Sequence, residues 1–323
     1  MIRSFVFSQG KLVDQDVSLE LLNQFLQDEV HVWVDVENPT DEEKKQVLED
    51  LFKFHPLAIE DCLAVSERPK VDDYESYIFL VIHAVDYLHS AHEFQTTELN
   101  MFIGRNFLVT VHDDPLRSIS TMMDRVRRNA PMVARAADRM TYNILDSLLE
   151  NYTPALEELS SEIAALEDKV LADPSVDILE DVIQLKTEVQ RLRQIVSPQR
   201  EVLARIVRGE FRIVRPHLLP YFRDSLDHLA RIHDLSDTYR DSLTNTLQVH
   251  LNLQQMQVNK VIKVLTVLAT LSLPLVVVTS FYGMNFRPPE FEMHWAAAYA
   301  WVFGISAVMI GVLYWVLKRM GWS

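Results

Sequence analysis

Apolar residues follow three successive patterns along the chain. Through the first third they come in short runs rich in Val, Ile, Phe and Thr, at residues 2–8, 30–36, 78–85, 99–103 and 107–111. Runs of this length and composition predict β-strands. Thr40 followed by Asp41, Glu42 and Glu43 has the composition of a capped helix start, and the helix is expected to run to about Phe54. Strands mixed with short helices predict an α/β or α+β domain ending near Asp114.

From about Ser118 the period changes to three-and-four spacing. Leu149, Tyr152, Leu156, Leu159, Ile163, Leu166 and Val170 form one apolar row, with charged residues between them. Long helices are expected near residues 140–171 and 177–207, turned at Asp173, Pro174 and Ser175. So short a turn predicts antiparallel packing. Their outer face carries Glu157, Glu158, Glu162, Glu167, Asp168, Asp177, Glu180 and Asp181. A third helical stretch begins after Pro220, and no glycine interrupts it from Tyr221 to Tyr282. At ~1.5 Å per residue such a helix would run roughly 90 Å, far more than a soluble domain requires.

The third pattern is continuous apolarity. Residues 264–282 and 295–317 contain no charged residue. Each is close to the ~20 residues needed to cross a hydrocarbon core of ~30 Å. Tyr282, Trp295, Tyr299, Trp301, Tyr314 and Trp315 sit near the ends of these segments, where aromatic rings favour the membrane interface. Lys260 and Lys263 precede the first span, and Lys318 and Arg319 follow the second. Basic flanks favour the cytoplasmic side, so both termini are expected there and the 285–294 loop outside. No signal-peptide core is visible in the first residues, which fits a cytoplasmic N-terminal part in a multi-pass protein of the inner (cell) membrane.

Within the first span, Asn259, Ile262, Thr266, Ala269, Leu273, Val276 and Ser280 share one face at alternating three-four spacing. The row is apolar in its middle and polar at its ends. Copies of it around an axis would form a hydrophobic constriction, which can gate by dewetting; taken alone it serves equally as a helix-packing seam. Two spans cannot enclose a pore by themselves, so a channel requires cyclic assembly. Pro274 lies inside the span and frees one backbone carbonyl.

Composition narrows the chemistry. A single cysteine, Cys62, excludes a disulfide framework and argues against a Cys-based zinc site. The eleven histidines lack metal-ligand spacing, and the seven glycines form no phosphate loop. No nucleophile–base motif points to an enzyme. The net charge of −15 would repel nucleic acid.

The first span closes on Tyr282-Gly283-Met284-Asn285, which resembles the YGMN signature of the CorA family of magnesium and cobalt channels. His55 to Asp61, Glu67 to Lys70, Tyr221 to His228 and Asn259 to Thr266 also resemble segments of that family. The resemblance implies an α+β membrane protein: a cytoplasmic α/β domain, a long helical stalk and two C-terminal transmembrane helices, assembled as a funnel-shaped homopentamer. The corresponding divisions are 1–117 for the α/β domain, 118–215 for acidic antiparallel helices, 216–282 for the stalk and pore helix, 283–294 for the external loop, 295–317 for the second span and 318–323 for a basic tail.

The resemblance further implies an outer selectivity site at Gly283, Met284 and Asn285. Pore-lining positions fall on Asn259, Ile262, Leu265, Leu273, Val276 and Ser280. It implies a regulatory Mg²⁺ between protomers at Asp61, with Glu60, and Asp224. Mg²⁺ would then be substrate and regulatory ligand, with no prosthetic group, and the partners would be divalent cations, the lipid bilayer and further copies of the chain. Glu290 and Glu292 would attract cations at the outer mouth, where Arg287 would partly cancel their field. Val276 is less polar than the hydroxyl residue some relatives carry. A Zn²⁺ transporter of the ZntB-like branch is the alternative, against which the intact Gly-Met-Asn triplet argues; a membrane-anchored scaffold is the reading from a different class.

Overall fold

The structure, a computed structural model, describes residues 1–26, 30–64, 68–88, 93–283 and 295–319. Its strands are β1 (Ile2–Ser8), β2 (Lys11–Gln15), β3 (His31–Glu37), β4 (Lys70–Asp73), β5 (Tyr77–Leu88), β6 (Glu93–Gly104) and β7 (Phe107–His112). They pair in the order β2-β1-β3-β7-β6-β5-β4. Only β3 and β7 run parallel, with Val34 opposite Val109; the remaining pairs are antiparallel. The two outermost strands, β2 and β4, escape the sequence pattern because KLVDQ and KVDD are short and largely polar. Polar, short strands suit a sheet edge, where an apolar one would invite pairing with another chain.

One sheet face packs against α1 (Leu19–Phe25), α3 (Pro56–Leu63) and the stretch that continues from the short helix α2 (Asp41–Lys44). Thr40 caps α2 as expected: its hydroxyl accepts from Glu43 N at 3.2 Å, and the Glu43 carboxylate accepts from Thr40 N at 2.9 Å. Beyond Lys44 the helix widens into a π-helical stretch, Lys45–Leu51, that buries Val47 and Leu48. Phe54 then lies flat on Phe102, ring centroids 4.1 Å apart, within a cluster that includes Phe79, Val81, Val109 and Val111.

The opposite face is covered by α4 (Arg117–Val133), α5 (Ala137–Glu150) and α6 (Tyr152–Ala172). The single helix expected over 140–171 is therefore two, parted at Asn151. The apolar row runs unbroken from Leu149 to Tyr152, which hides the break. Its cause is Pro154: it has no N–H for the Glu150 carbonyl, and its ring crowds a preceding helical turn. Helix α7 (Leu179–Val207) follows, with a Lys169–Asp181 ion pair of 2.8 Å tying it to α6 across their turn. The 118–215 stretch thus holds α4 and α5 in addition to the pair α6 and α7.

Helix α8 (Leu219–Tyr282) is continuous over 64 residues, about 96 Å at ~1.5 Å per residue. Helix α9 (Trp295–Arg319) comes after it. Contacts divide the chain into two compact units, 1–172 with 176–247, and 173–175 with 248–323. Of the most apolar window of α8 only 6% is buried, and of that of α9 only 11%. Core helices of a soluble domain would be mostly buried, so these two have the character of membrane spans.

Candidate functional site

The expected pore face is built on α8 by spacing alone. Ile262, Leu273 and Val276 are more than half exposed, at 53%, 62% and 58%, and Leu265 is 59% exposed beside them. Asn259 and Ser280 are exposed at the two ends. The Asn259 amide oxygen accepts from Gln255 Nε2 at 3.1 Å. Thr266 folds its hydroxyl back onto the Ile262 carbonyl at 2.8 Å, and Thr270 does the same onto Thr266 at 2.7 Å. These hydroxyls are satisfied within the helix, so the face is held apolar between its polar ends.

Gly283 donates to the Thr279 carbonyl at 2.9 Å, extending the helical hydrogen bonding to the start of the triplet. Its φ is not positive, so a left-handed turn is not what requires glycine here. A Cβ at this position would lie 3.2 Å from that same carbonyl oxygen, a tight contact that a shift of a few tenths of an ångström relieves. Met284, Asn285, Arg287, Glu290 and Glu292 lie outside the described residues.

In the first unit, α3 presents the expected acids. His55 caps it by accepting from Leu57 N at 3.2 Å, and Pro56 occupies its first turn. Glu60 is exposed, whereas Asp61 is held by Lys70 Nζ at 2.5 Å. Adjacent residues diverge by about 100° on a helix, so the two carboxylates face different ways. No hydrogen bond or ion pair joins Asp61 to Asp224 among the described residues.

Asp224 is placed by an anchor at the start of α8. Arg215 forks onto buried Asp138 of α5, with Nη2–Oδ1 at 2.6 Å and Nε–Oδ2 at 2.8 Å, while its backbone N–H donates to the same carboxylate at 3.1 Å. Phe222 is fully buried, with Tyr142 edge-on to it at 5.7 Å. Asp224 is left exposed in the electrostatic neighbourhood of Asp146, Glu150 and His228. Burial, then Glu150 and Asp224, hold the Asp146 carboxyl above the usual carboxylate range. Burial, then Arg231, lowers His228 below the usual imidazole range, with the three acids opposing.

Asp146 and Glu150 were not singled out from the sequence. Their signal was the i, i+4 pair on α5 matching the i, i+4 pair Asp224 and His228 on α8. Like carboxylates brought together favour either a proton or a divalent cation. Among the described residues, no group of three or more His, Cys, Asp and Glu side chains is arranged to hold a metal within one chain. Burial and the charge of Glu98 push the Cys62 thiol up to about 12, so without a metal it is protonated at neutral pH.

A mixed α/β unit, one helix far longer than that unit needs, and two apolar helices define a two-span membrane protein with a large non-membrane domain. The chain belongs to the family described as CorA-like Mg2+ transporter protein, whose pattern matches residues 28–319. It is 30% identical over 291 residues to the cobalt/magnesium transport protein CorA of Thermotoga maritima, covering 90% of this chain and 83% of that one. It is 31% identical to the putative metal ion transporter YfjQ of Bacillus subtilis, covering 90% and 89%. Its fold is similar to that of the CorA magnesium transporter from Methanocaldococcus jannaschii, at a TM-score of 0.81 with 23% identity and coverage of 99% and 98%.

Proposed function

We propose that this chain is one protomer of a passive, gated channel that carries divalent cations, chiefly Mg²⁺ and also Co²⁺ or Ni²⁺, into the cell. The observation that carries the reading is the face of α8 from Asn259 to Ser280: uncharged, exposed along a membrane span, and apolar between its polar ends apart from Thr266, whose hydroxyl is bonded within the helix. Exposed to lipid alone, Asn259 would gain nothing from that position; around a shared axis it lies at a water-filled mouth. Five copies around that axis, with both termini in the cytoplasm, is the arrangement we adopt, as the resemblance implies.

Gly283, Met284 and Asn285 are assigned to the outer ion site. Mg²⁺ prefers oxygen ligands and sheds water reluctantly, so a ring of Asn285 side-chain oxygens would accept hydrogen bonds from its hydration shell. Glu290 and Glu292 would concentrate cations nearby. Asp61 with Glu60 of one copy and Asp224 of the next, beside Asp146, are assigned to cytoplasmic Mg²⁺ that holds the channel closed. Such a site would draw its ligands from two copies of the chain. Losing the ion would restore carboxylate repulsion and bias the assembly toward opening.

Mg²⁺ flux into liposomes tests this. Asn285→Ala is expected to abolish selective conduction, and Asp224→Lys to weaken inhibition by Mg²⁺ on the cytoplasmic face by severalfold. Flux of Zn²⁺ with neither passage nor block by Mg²⁺ would instead establish the ZntB-like alternative. No flux of any cation, and no effect of Asn285→Ala, would leave a scaffold.

A further inference from the structure

The three-four spacing of the Asn259–Ser280 row continues toward the start of α8 through Gln255, Asn252 and Gln248. Four successive positions of this face therefore carry amides, and no position from Gln248 to Ser280 carries a charge. All four amide residues are exposed, and Gln255 Nε2 donates to Asn259 Oδ1 along the row at 3.1 Å. At about 100° per residue, Val249 and Met256 flank the row on one side and Leu251 and Val258 on the other, each pair roughly 80° from its centre. These apolar flanks are exposed as well, from 41% at Val249 to 66% at Met256. His250 is buried and lies about 170° from the centre of the row. The amides and both flanks thus form the side of the helix that the described residues leave uncovered.

A dry helix seam has the reverse order, with apolar residues in the central row and polar ones beside it. Amides brought together in such a seam would lose water without full replacement of its hydrogen bonds. In a ring of copies the flanks are what neighbours bury: Val249 and Met256 of one copy meet Leu251 and Val258 of the next, a head-to-tail contact that repeats around an axis. The amides between them then face a lumen. This continues, on the same face of the same helix, the assembly proposed for the Asn259–Ser280 row. Lipid does not serve as the cover, because Leu251 lies about 20 Å along the helix before residue 264, where the uncharged span begins. We propose that Gln248, Asn252 and Gln255 line a water-filled cytoplasmic extension of the conduction path, about 16 Å long to Asn259 at ~1.5 Å per residue. Their side-chain oxygens accept hydrogen bonds from the water shell of a divalent cation, and they lack the charge that would hold the ion in place.

The extension presupposes the pore reading of α8, and thiol accessibility separates the two. Cys62→Ser removes the single cysteine of the full-length protein. Gln248→Cys, Asn252→Cys and Gln255→Cys are then introduced one at a time, with Gln257→Cys, exposed on the side opposite the row, as the control. Mg²⁺ flux in liposomes is read before and after a cationic, membrane-impermeant methanethiosulfonate reaches the cytoplasmic face. Flux before the reagent reports that a variant has folded and assembled. The reagent is expected to cut flux severalfold in the three row variants and to leave Cys62→Ser alone and Gln257→Cys unchanged. A second reading needs no reagent: Asn252→Leu with Gln255→Leu, which makes the stretch apolar, should lower flux severalfold, and Asn252→Ser with Gln255→Ser should retain more of it. Flux that Asn285→Ala abolishes, but that the reagent leaves intact in all three row variants, would overturn the extension and leave the pore standing. Equal block through Gln257→Cys would also overturn it, because the effect would not follow the face. Absence of Mg²⁺ flux from Cys62→Ser protein that is folded by circular dichroism would overturn both.

Discussion

Asp35 has no exposed surface, and three side chains converge on it through the register of β1, β3 and β7, one of them braced by Trp33. Thr110 donates to its Oδ1 at 2.6 Å, Trp33 Nε1 donates to Thr110 at 3.0 Å, His112 Nε2 lies 3.2 Å from Oδ1, and Arg3 approaches Oδ2 at 3.8 Å. Burial alone would lower the His112 pKa, but the hydrogen bond and charge of Asp35 outweigh it, so the net direction is upward. A raised histidine contributes stability that is fully present below its ordinary value of about 6.5 and is lost as pH rises through the folded value. Thermal unfolding from pH 6 to 9 should therefore show wild type losing stability relative to His112→Gln as pH rises. Asp35→Ala, which strands the buried histidine, is expected to cost about 3 kcal/mol or more. Asp146 has the same sign for the opposite chemical reason. Its raised carboxyl is costly to ionise in the folded state, so relative stability is greatest at low pH and declines as pH rises through the folded value. Removing one cause with Asp224→Asn should raise the melting temperature in chelator at pH 7, by under about 1 kcal/mol because Asp224 is solvated. The gain should shrink toward pH 4 and on adding Mg²⁺. A melting temperature identical to wild type at every pH would show that the two carboxylates are not coupled.

At the scale of elements, the start of α8 depends on a partner 77 residues away in sequence. Asp138 is 3% exposed and satisfies both the Arg215 side chain and its backbone N–H. Asp138→Ala should lower stability in urea by about 1–2 kcal/mol, because Arg215, its side chain 44% exposed, loses the forked carboxylate and its backbone N–H loses an acceptor. Arg215→Lys keeps the charge but loses the planar fork, so an intermediate loss is expected. An Asp138→Ala midpoint equal to that of wild type would mean that α8 is anchored elsewhere. Local signals served unevenly at this scale. The Thr40 cap was readable because its reciprocal bonds span three residues. The edge strands were not, because their strand state comes from neighbours in the sheet, and the Asn151 break was masked by an apolar row that continues through it.

For the whole molecule, the exposed row of α8 is the surface that assembly would cover. If copies surround an axis, Ile262→Asn would place amides in an apolar constriction and make it easier to wet. Mg²⁺ leak under inhibiting cytoplasmic Mg²⁺ should then rise severalfold in liposomes, with cross-linking in membranes still ending at five copies. A variant that leaks no more than wild type would place Ile262 away from the pathway.

The membrane spans, the rod that leads into them and the uncharged row along one face were legible in the amino-acid order, because each depends on residues within a few turns of one another. The Gly283–Asn285 triplet was legible as a pattern. Only the folded chain decided that Asp35 meets His112 and Arg3, that Asp224 comes beside Asp146, and that Asp61 is held by Lys70. Those neighbours are set by strand register and helix packing across long stretches of chain, and side-chain periodicity carries no record of which distant face a residue will meet.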